Sequence, residues 1–200
     1  MSQAEAAQGH HYTATGIETW KLGFWTFIGS ECLFFGSLIA TYMVYKGQSI
    51  AGPFPHGPDG VLDIPLTTVS TFVLLMSSFN MVMALHAVKA GDRKGSLRWL
   101  MATAIFGSIF LGFQAYEFTH FYHLGLSLGQ NLFSASFFVL TGFHGAHVTV
   151  GVIWLLALWV QAFRKQLGPE RALSVEVAGL YWHFVDVVWI AIFTLIYLIE

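Results

Sequence analysis

The chain has 200 residues, of which 56% are hydrophobic, 16% aromatic and only 10% charged. Soluble domains carry about 25% charged residues, so too few charges are present to cover a water-facing surface, and lipid is the expected solvent. A formal net charge of −2 gives no electrostatic footing for nucleic acid. Cys32 is the only cysteine, which excludes an internal disulfide, a CxxC metal or redox pair and a CxxCH haem attachment site.

Residues 1–22 are largely polar and contain His10 and His11. They lack the basic-then-apolar order of a cleaved signal peptide. They read as a cytoplasmic N-terminal segment, with the following hydrophobic run retained as an anchor. A membrane span needs about 20 mostly apolar residues to cross a ~30 Å hydrocarbon core. Five windows qualify, at about 23–45, 66–88, 99–119, 133–163 and 178–199. Each is too long and continuous for a barrel strand. The expected fold is therefore an all-α, polytopic membrane bundle of five transmembrane helices, one domain over 23–199. The fourth window is the longest and is expected to tilt or project beyond the bilayer.

Between the first two windows lie Pro53, Pro55, Pro58 and Pro65, the signature of an extended loop. Segment 89–98 carries Lys89, Arg93, Lys94 and Arg98, and segment 162–177 carries Arg164, Lys165 and Arg171. Both read as basic connecting loops. With Lys21 they all fall on one side of the membrane, while Lys46 stands alone on the other. The positive-inside rule then places the N-terminus in the cytoplasm and the C-terminus outside. Trp20, Tyr42, Tyr45, Trp99, Tyr116 and Tyr122 fall near span ends, as an aromatic belt requires.

Ionisable side chains inside a span cost about 2.5–3.5 kcal/mol on insertion scales, so each needs a reason. Glu31 lies in the first span, with Ile28, Phe34 and Phe35 as same-face neighbours at helical spacing. Without a cationic partner, low dielectric favours its neutral form. It reads as a proton-exchanging or carbodiimide-reactive carboxyl, or equally as a neutral acid hydrogen-bonded to a neighbouring helix or a lipid. His86 lies near the end of the second span, and Glu117 and His120 near the outer end of the third. His144 and His147 share one face of the fourth, and His183 and Asp186 one face of the fifth. Three imidazoles and a carboxylate are chemically competent to hold a metal or relay protons. Gly142, Gly145, Ala146 and Gly151, however, give the fourth helix a small-residue face on which polar groups ordinarily bond between helices. The favoured reading is an interhelical polar network of His144, His147, His183, Asp186, Glu117 and His120, with no metal site and no catalytic residue. No phosphate-cradling glycine loop or nucleophile arrangement occurs in the aqueous segments.

Trp25 to Tyr42 (WTFIGSECLFFGSLIATY), Tyr116 to His120 (YEFTH), Gly142 to Gly151 (GFHGAHVTVG) and Tyr181 to Tyr197 (YWHFVDVVWIAIFTLIY) resemble subunit III of haem–copper terminal oxidases. The likeness runs from about residue 20 to the end, with its motifs in order and on the expected helices. It implies a subunit without cofactors of its own, haem and copper residing in partner subunits. Such a subunit packs on oxidase subunit I, beside subunit II and a small subunit, in a bacterial plasma membrane. It holds membrane phospholipids, supports proton uptake and slows turnover-dependent inactivation. Glu31 matches the family's carbodiimide-reactive buried carboxyl. His144, His147, His183 and Asp186 match motif positions that have no metal role. The mitochondrial form has two more spans at its start, so the lipid cleft between those spans and the rest carries over only as the wall containing Glu31.

The YWHFVD wording of the fifth span resembles the cytochrome c type more than the quinol type, so a proton-pumping cytochrome c oxidase is the expected assembly. A quinol oxidase is the alternative. From a different class, a small proton or metal transporter using Glu31 and the histidines is the runner-up. Transporters of that kind show broken helices and internal repeats, and no proline interrupts any window here. Glu31→Gln, nearly isosteric and hydrogen-bonding, is expected to leave the complex assembled, whereas Glu31→Ala loosens the interface. The loss of oxygen-consumption rate during sustained turnover is the measurement, and equal lifetimes for Ala, Gln and wild type would remove any special role for this carboxyl.

Overall fold

The computed structural model describes residues 19–46, 48 and 62–199. The N-terminal residues 1–18, with His10 and His11, lie outside the described residues, as does the stretch holding Pro53, Pro55 and Pro58. The helices are α1 (Thr19–Tyr45), α2 (Ile64–Lys89), α3 (Arg93–His123), α4 (Leu132–Phe163) and α5 (Ala172–Phe193). A 3₁₀ turn, Pro169–Arg171, leads into α5, and a π-helical turn, Thr194–Leu198, continues it. All five are long and apolar enough to cross a membrane.

Short polar side chains set the helix starts. Asp63 accepts from Leu66 N at 3.0 Å with Pro65 in the first turn of α2. Asp92 accepts from Gly95 N at 3.0 Å, and Asn131 from Ser134 N at 2.7 Å. Each satisfies a donor that the first turn leaves open. Of the two basic segments expected as loops, 89–98 is largely helical, whereas in 162–177 Arg164 and Lys165 lie in the turn after α4 and Arg171 in the 3₁₀ turn before α5. Only Ala90–Asp92 separates α2 from α3, with Gly91 at φ 71°, a left-handed conformation glycine adopts without a Cβ clash. Arg93, Lys94 and Arg98 lie inside α3, and α5 begins at Ala172 rather than near 178. Hydropathy marks only the part of a helix that lipid covers, whereas Lys and Arg are good helix formers. At 31 residues, α3 is about 46 Å long and outruns the hydrocarbon layer.

α2 and α3 form an antiparallel hairpin, α4 packs on α3, and α5 packs on both α2 and α4. α1 lies outside this group, against α4 and α5. Its buried residues are Ile28, Phe35 and Tyr42, one every seven positions, which is the narrow seam of a helix touching its support along one line. Tyr42, expected in the interfacial belt, is 0% exposed and packs on Phe133, because its place in that seam outweighs its nearness to the helix end. Trp20, Tyr116 and Tyr122 are exposed.

The bundle has one basic end. There Lys21 of α1 bonds Glu176 of α5, and Lys89 of α2 approaches the other Glu176 oxygen at 3.9 Å. Arg93 donates to the carbonyls of Ala162 and Phe163 at 3.1 and 2.7 Å, covering the open C-terminal carbonyls of α4. At the opposite end the Lys46 ammonium reaches the Ile199 carbonyl.

Close approach of α5 depends on two glycines. The Trp182 indole lies where a Cβ on Gly107 or Gly151 would be 2.5 or 2.7 Å from its ring. Of the expected small-residue face of α4, Gly145 and Gly151 are buried against other helices, while Ala146 is exposed. Gly151→Ala should cost about 1–3 kcal/mol by overpacking a rigid, fully buried ring. A lower thermal midpoint of the solubilised complex, with less of it assembled, is the expected result.

Candidate functional site

The polar residues expected to form one network fall into separate clusters at different helix contacts. The first lies between α1 and α4. His147 Nε2 is 3.2 Å from Glu31 Oε2, and His147 Nδ1 is 2.8 Å from its own helix's Phe143 carbonyl. Tyr181 of α5 donates to the His147 carbonyl at 3.0 Å. Phe35 meets the imidazole edge-on at 4.9 Å, and Tyr181 stacks on it at 6.5 Å. Glu31 was expected without a partner for charge because α1 alone offers only apolar same-face neighbours. The seven-residue seam turns it toward α4, where an imidazole waits.

This pair is not sealed in the core. The Glu31 and His147 side chains are 19% and 20% exposed, and both line a groove of about 630 Å³ with Phe24, Phe27, Trp154 and Tyr181. Phe24, Phe27 and Trp154 also line a second groove of about 860 Å³ that runs on to Thr19, Gln161 and Ser174 near the basic end. An apolar groove open along its length and flanked by aromatic rings can hold acyl chains. The carboxyl–imidazole pair is its polar wall.

The second cluster joins α2, α3 and the end of α5. Glu117, 6% exposed, accepts at Oε1 from the Tyr197 hydroxyl at 2.9 Å. The Thr67 hydroxyl lies 3.0 Å from the same oxygen. Tyr197 belongs to the π-helical turn, whose wider winding lets this residue reach inward.

The third cluster runs along α2 and α5. Trp182 Nε1 donates to Ser77 at 2.8 Å, and Trp189 Nε1 to Thr71 at 2.9 Å. The Ser78 hydroxyl is 2.6 Å from His183 Nδ1. Sequence reasoning missed this stripe. Its signal was present, since Thr67, Thr71, Ser77 and Ser78 recur on one side of an apolar span at helical spacing, the pattern of residues that serve as partners across a membrane interface.

The remaining members stand apart. His144 is 0% exposed, stacked on Trp189 at 4.9 Å and edge-on to Phe110 at 5.8 Å, and neither ring nitrogen has a hydrogen-bond partner. Asp186 is 3% exposed, with the Ser78 hydroxyl beside its carboxyl. Ser78, the neighbouring hydroxyl, is turned to His183. His120 does not join helices: it is exposed and stacks on Tyr116 of the same helix at 6.2 Å, because i+4 spacing keeps the two on one outward face. His86 is also exposed. Among the described residues no three His, Cys, Asp or Glu side chains converge as a metal-holding group.

Glu117→Ala would leave the buried Tyr197 hydroxyl without its acceptor and should cost about 1–3 kcal/mol, whereas Tyr197→Phe, which removes only one bond, should cost about 0.5–1.5 kcal/mol. A double-mutant cycle on thermal midpoints of the solubilised complex should show the two losses to be non-additive.

The family profile described as cytochrome c oxidase subunit III matches residues 1–200. Quinol oxidase subunit 3 of Bacillus spizizenii is 41% identical over 177 residues, covering 88% of this chain and 85% of the relative. Quinol oxidase subunit 3 of Bacillus subtilis is 40% identical over the same shares. Cytochrome c oxidase subunit 3 of Bacillus sp. (strain PS3) is 38% identical, covering 88% of this chain and 84% of that one. The five apolar helices and these likenesses agree, and the chain belongs to the cytochrome c oxidase subunit III family, as a membrane subunit of a haem–copper terminal oxidase complex.

Proposed function

We propose that this chain is the non-redox third subunit of a proton-pumping haem–copper oxidase that passes electrons from a quinol to oxygen. The observation that carries the choice of donor is the naming of its relatives. Those at 41% and 40% identity are quinol oxidase subunits, against 38% for the cytochrome c oxidase subunit. The YWHFVD wording of α5 resembles the cytochrome c type, and that donor is the second reading. Haem and copper reside in the partner subunits.

In this reading the basic end, with Lys21, Lys89, Arg93 and Arg98, faces the cytoplasm of a bacterium by the positive-inside rule. The N-terminus is then inside and the C-terminus outside. The exposed apolar flanks, among them Phe72 and Phe79 of α2 and Ile153 of α4, meet subunit I, its companion subunits and phospholipid. The grooves beside α1 hold acyl chains. Glu31, on the groove wall, is the proton-exchanging carboxyl, and its position supports proton supply to subunit I from the cytoplasmic side.

Oxygen consumption by the purified complex tests the donor. Rapid turnover with a quinol, and little with reduced cytochrome c, is the expected result. The reverse preference would transfer the assignment to the cytochrome c type. A complex isolated through this chain without haem in its reduced-minus-oxidised spectrum would defeat the oxidase reading altogether.

A further inference from the structure

We propose that His147 is the positioning partner of Glu31, that the two side chains share a single proton across the α1–α4 seam, and that this mid-span tie exists only while the proton is bound. The proposal rests on the reading of Glu31 as the proton-exchanging carboxyl of this subunit.

The proton count follows from the hydrogen bonds. A carbonyl oxygen only accepts, so the 2.8 Å contact of His147 Nδ1 with the Phe143 carbonyl requires a hydrogen on Nδ1. In the neutral ring Nε2 is then bare, and its lone pair faces Glu31 Oε2 at 3.2 Å. Two arrangements make that contact a bond. Either the neutral acid donates O–H to Nε2, or the doubly protonated ring donates to the carboxylate. Both place one proton between the partners, and both leave the pair without net charge, as an apolar groove demands. Removing the proton sets a carboxylate lone pair against an imidazole lone pair and leaves an uncompensated negative charge. The ring cannot escape by moving its remaining hydrogen to Nε2, because Nδ1 would then face the Phe143 oxygen bare.

The surroundings offer the ionised carboxylate no substitute. Of the titratable groups on the elements packed here, Tyr181 of α5 spends its hydroxyl hydrogen on the His147 carbonyl. His144 of α4 is enclosed by Phe35, Phe110 and Trp189, and Cys32 on α1 is exposed. No Lys or Arg occurs between Lys21 and Lys46, or within α4 or α5. Lys21 is ten residues from Glu31, about 15 Å along the helix, and is bonded to Glu176. With the proton gone, α1 keeps its end contacts and its apolar seam but loses this polar contact at mid-span. The groove into which Glu31 already opens admits a lipid-soluble reagent to the carboxyl.

The test uses the intact complex in native membranes, labelled with a lipophilic carbodiimide, which needs a protonated carboxyl to react. Gln places its amide near the position of imidazole Nε2 and can accept from the acid but takes no proton from it, so in His147→Gln the apolar groove holds Glu31 as the neutral acid alone. At one neutral pH, with both complexes equally assembled, we expect Glu31 to be labelled at least about fivefold more in His147→Gln than in the wild type, where the imidazole draws the shared proton from the carboxyl. Nitrogen-15 spectra of histidine-labelled complex, with the His147 signals identified by their absence in the variant, should show Nδ1 protonated. Equal labelling of the two proteins, or a His147 ring protonated on Nε2 alone, would overturn the proposal and leave the oxidase assignment intact. A complex lacking haem would instead defeat the oxidase assignment and leave the labelling comparison standing.

Discussion

The interior of a bilayer supplies no hydrogen-bond partner, and the arrangement of this molecule follows from that constraint. Backbone groups meet it by forming helices. Hydroxyl side chains meet it locally, by turning back onto carbonyls three or four residues earlier. Ser30 and Ser37 bond Phe27 and Phe34 on the exposed side of α1, and Thr149 bonds Gly145 on α4. A Ser or Thr facing lipid is therefore satisfied before any neighbour is considered. Indole, phenol and carboxyl groups have no such local solution, and an imidazole has one for a single nitrogen only, as His147 Nδ1 shows on the Phe143 carbonyl; these are the groups that join one helix to another.

That division explains how α2 and α5 are joined. The α2 hydroxyls donate backward to their own helix and so keep lone pairs free to accept. Thr71 gives its hydrogen to the Thr67 carbonyl and accepts from Trp189; Ser77 gives its hydrogen to the Leu74 carbonyl and accepts from Trp182. Each such bond is worth about 0.6 kcal/mol by measurements in membranes, but the rings that make them are also wedged by shape. Trp182 fills the space that Gly107 and Gly151 leave open, and Trp189 is held between Phe110 and His144.

α1 is built on a different plan. It has a one-in-seven seam, an ion pair at the basic end, a lysine-to-carbonyl contact at the other end, and Glu31 against His147 between them. Grooves lie beside it rather than packed side chains. On the function proposed above, a helix held this way is the one that responds to lipid in the grooves and to the proton at its centre.

By itself the sequence determined the solvent, the number and approximate limits of the spans, and the clustering of positive charge at one end. These depend on composition and on apolar runs, which neighbours in space do not alter. The family motifs around Glu31, His144 and His183 were legible for the same reason, as strings of adjacent residues. Helix ends were less so, since hydropathy stops where lipid stops and Arg93 to Arg98 continue a helix into water. Which polar groups meet was decided by tertiary structure alone. Periodicity puts His144 and His147 on one face, but three positions turn a helix through about 300°, and the remaining offset sends His144 into an aromatic cage and His147 to Glu31. Glu117 finds Tyr197 through a π-helical turn that no spacing rule anticipates. Pairing across helices depends on rotation and depth together, and a linear sequence records neither until the helices have packed.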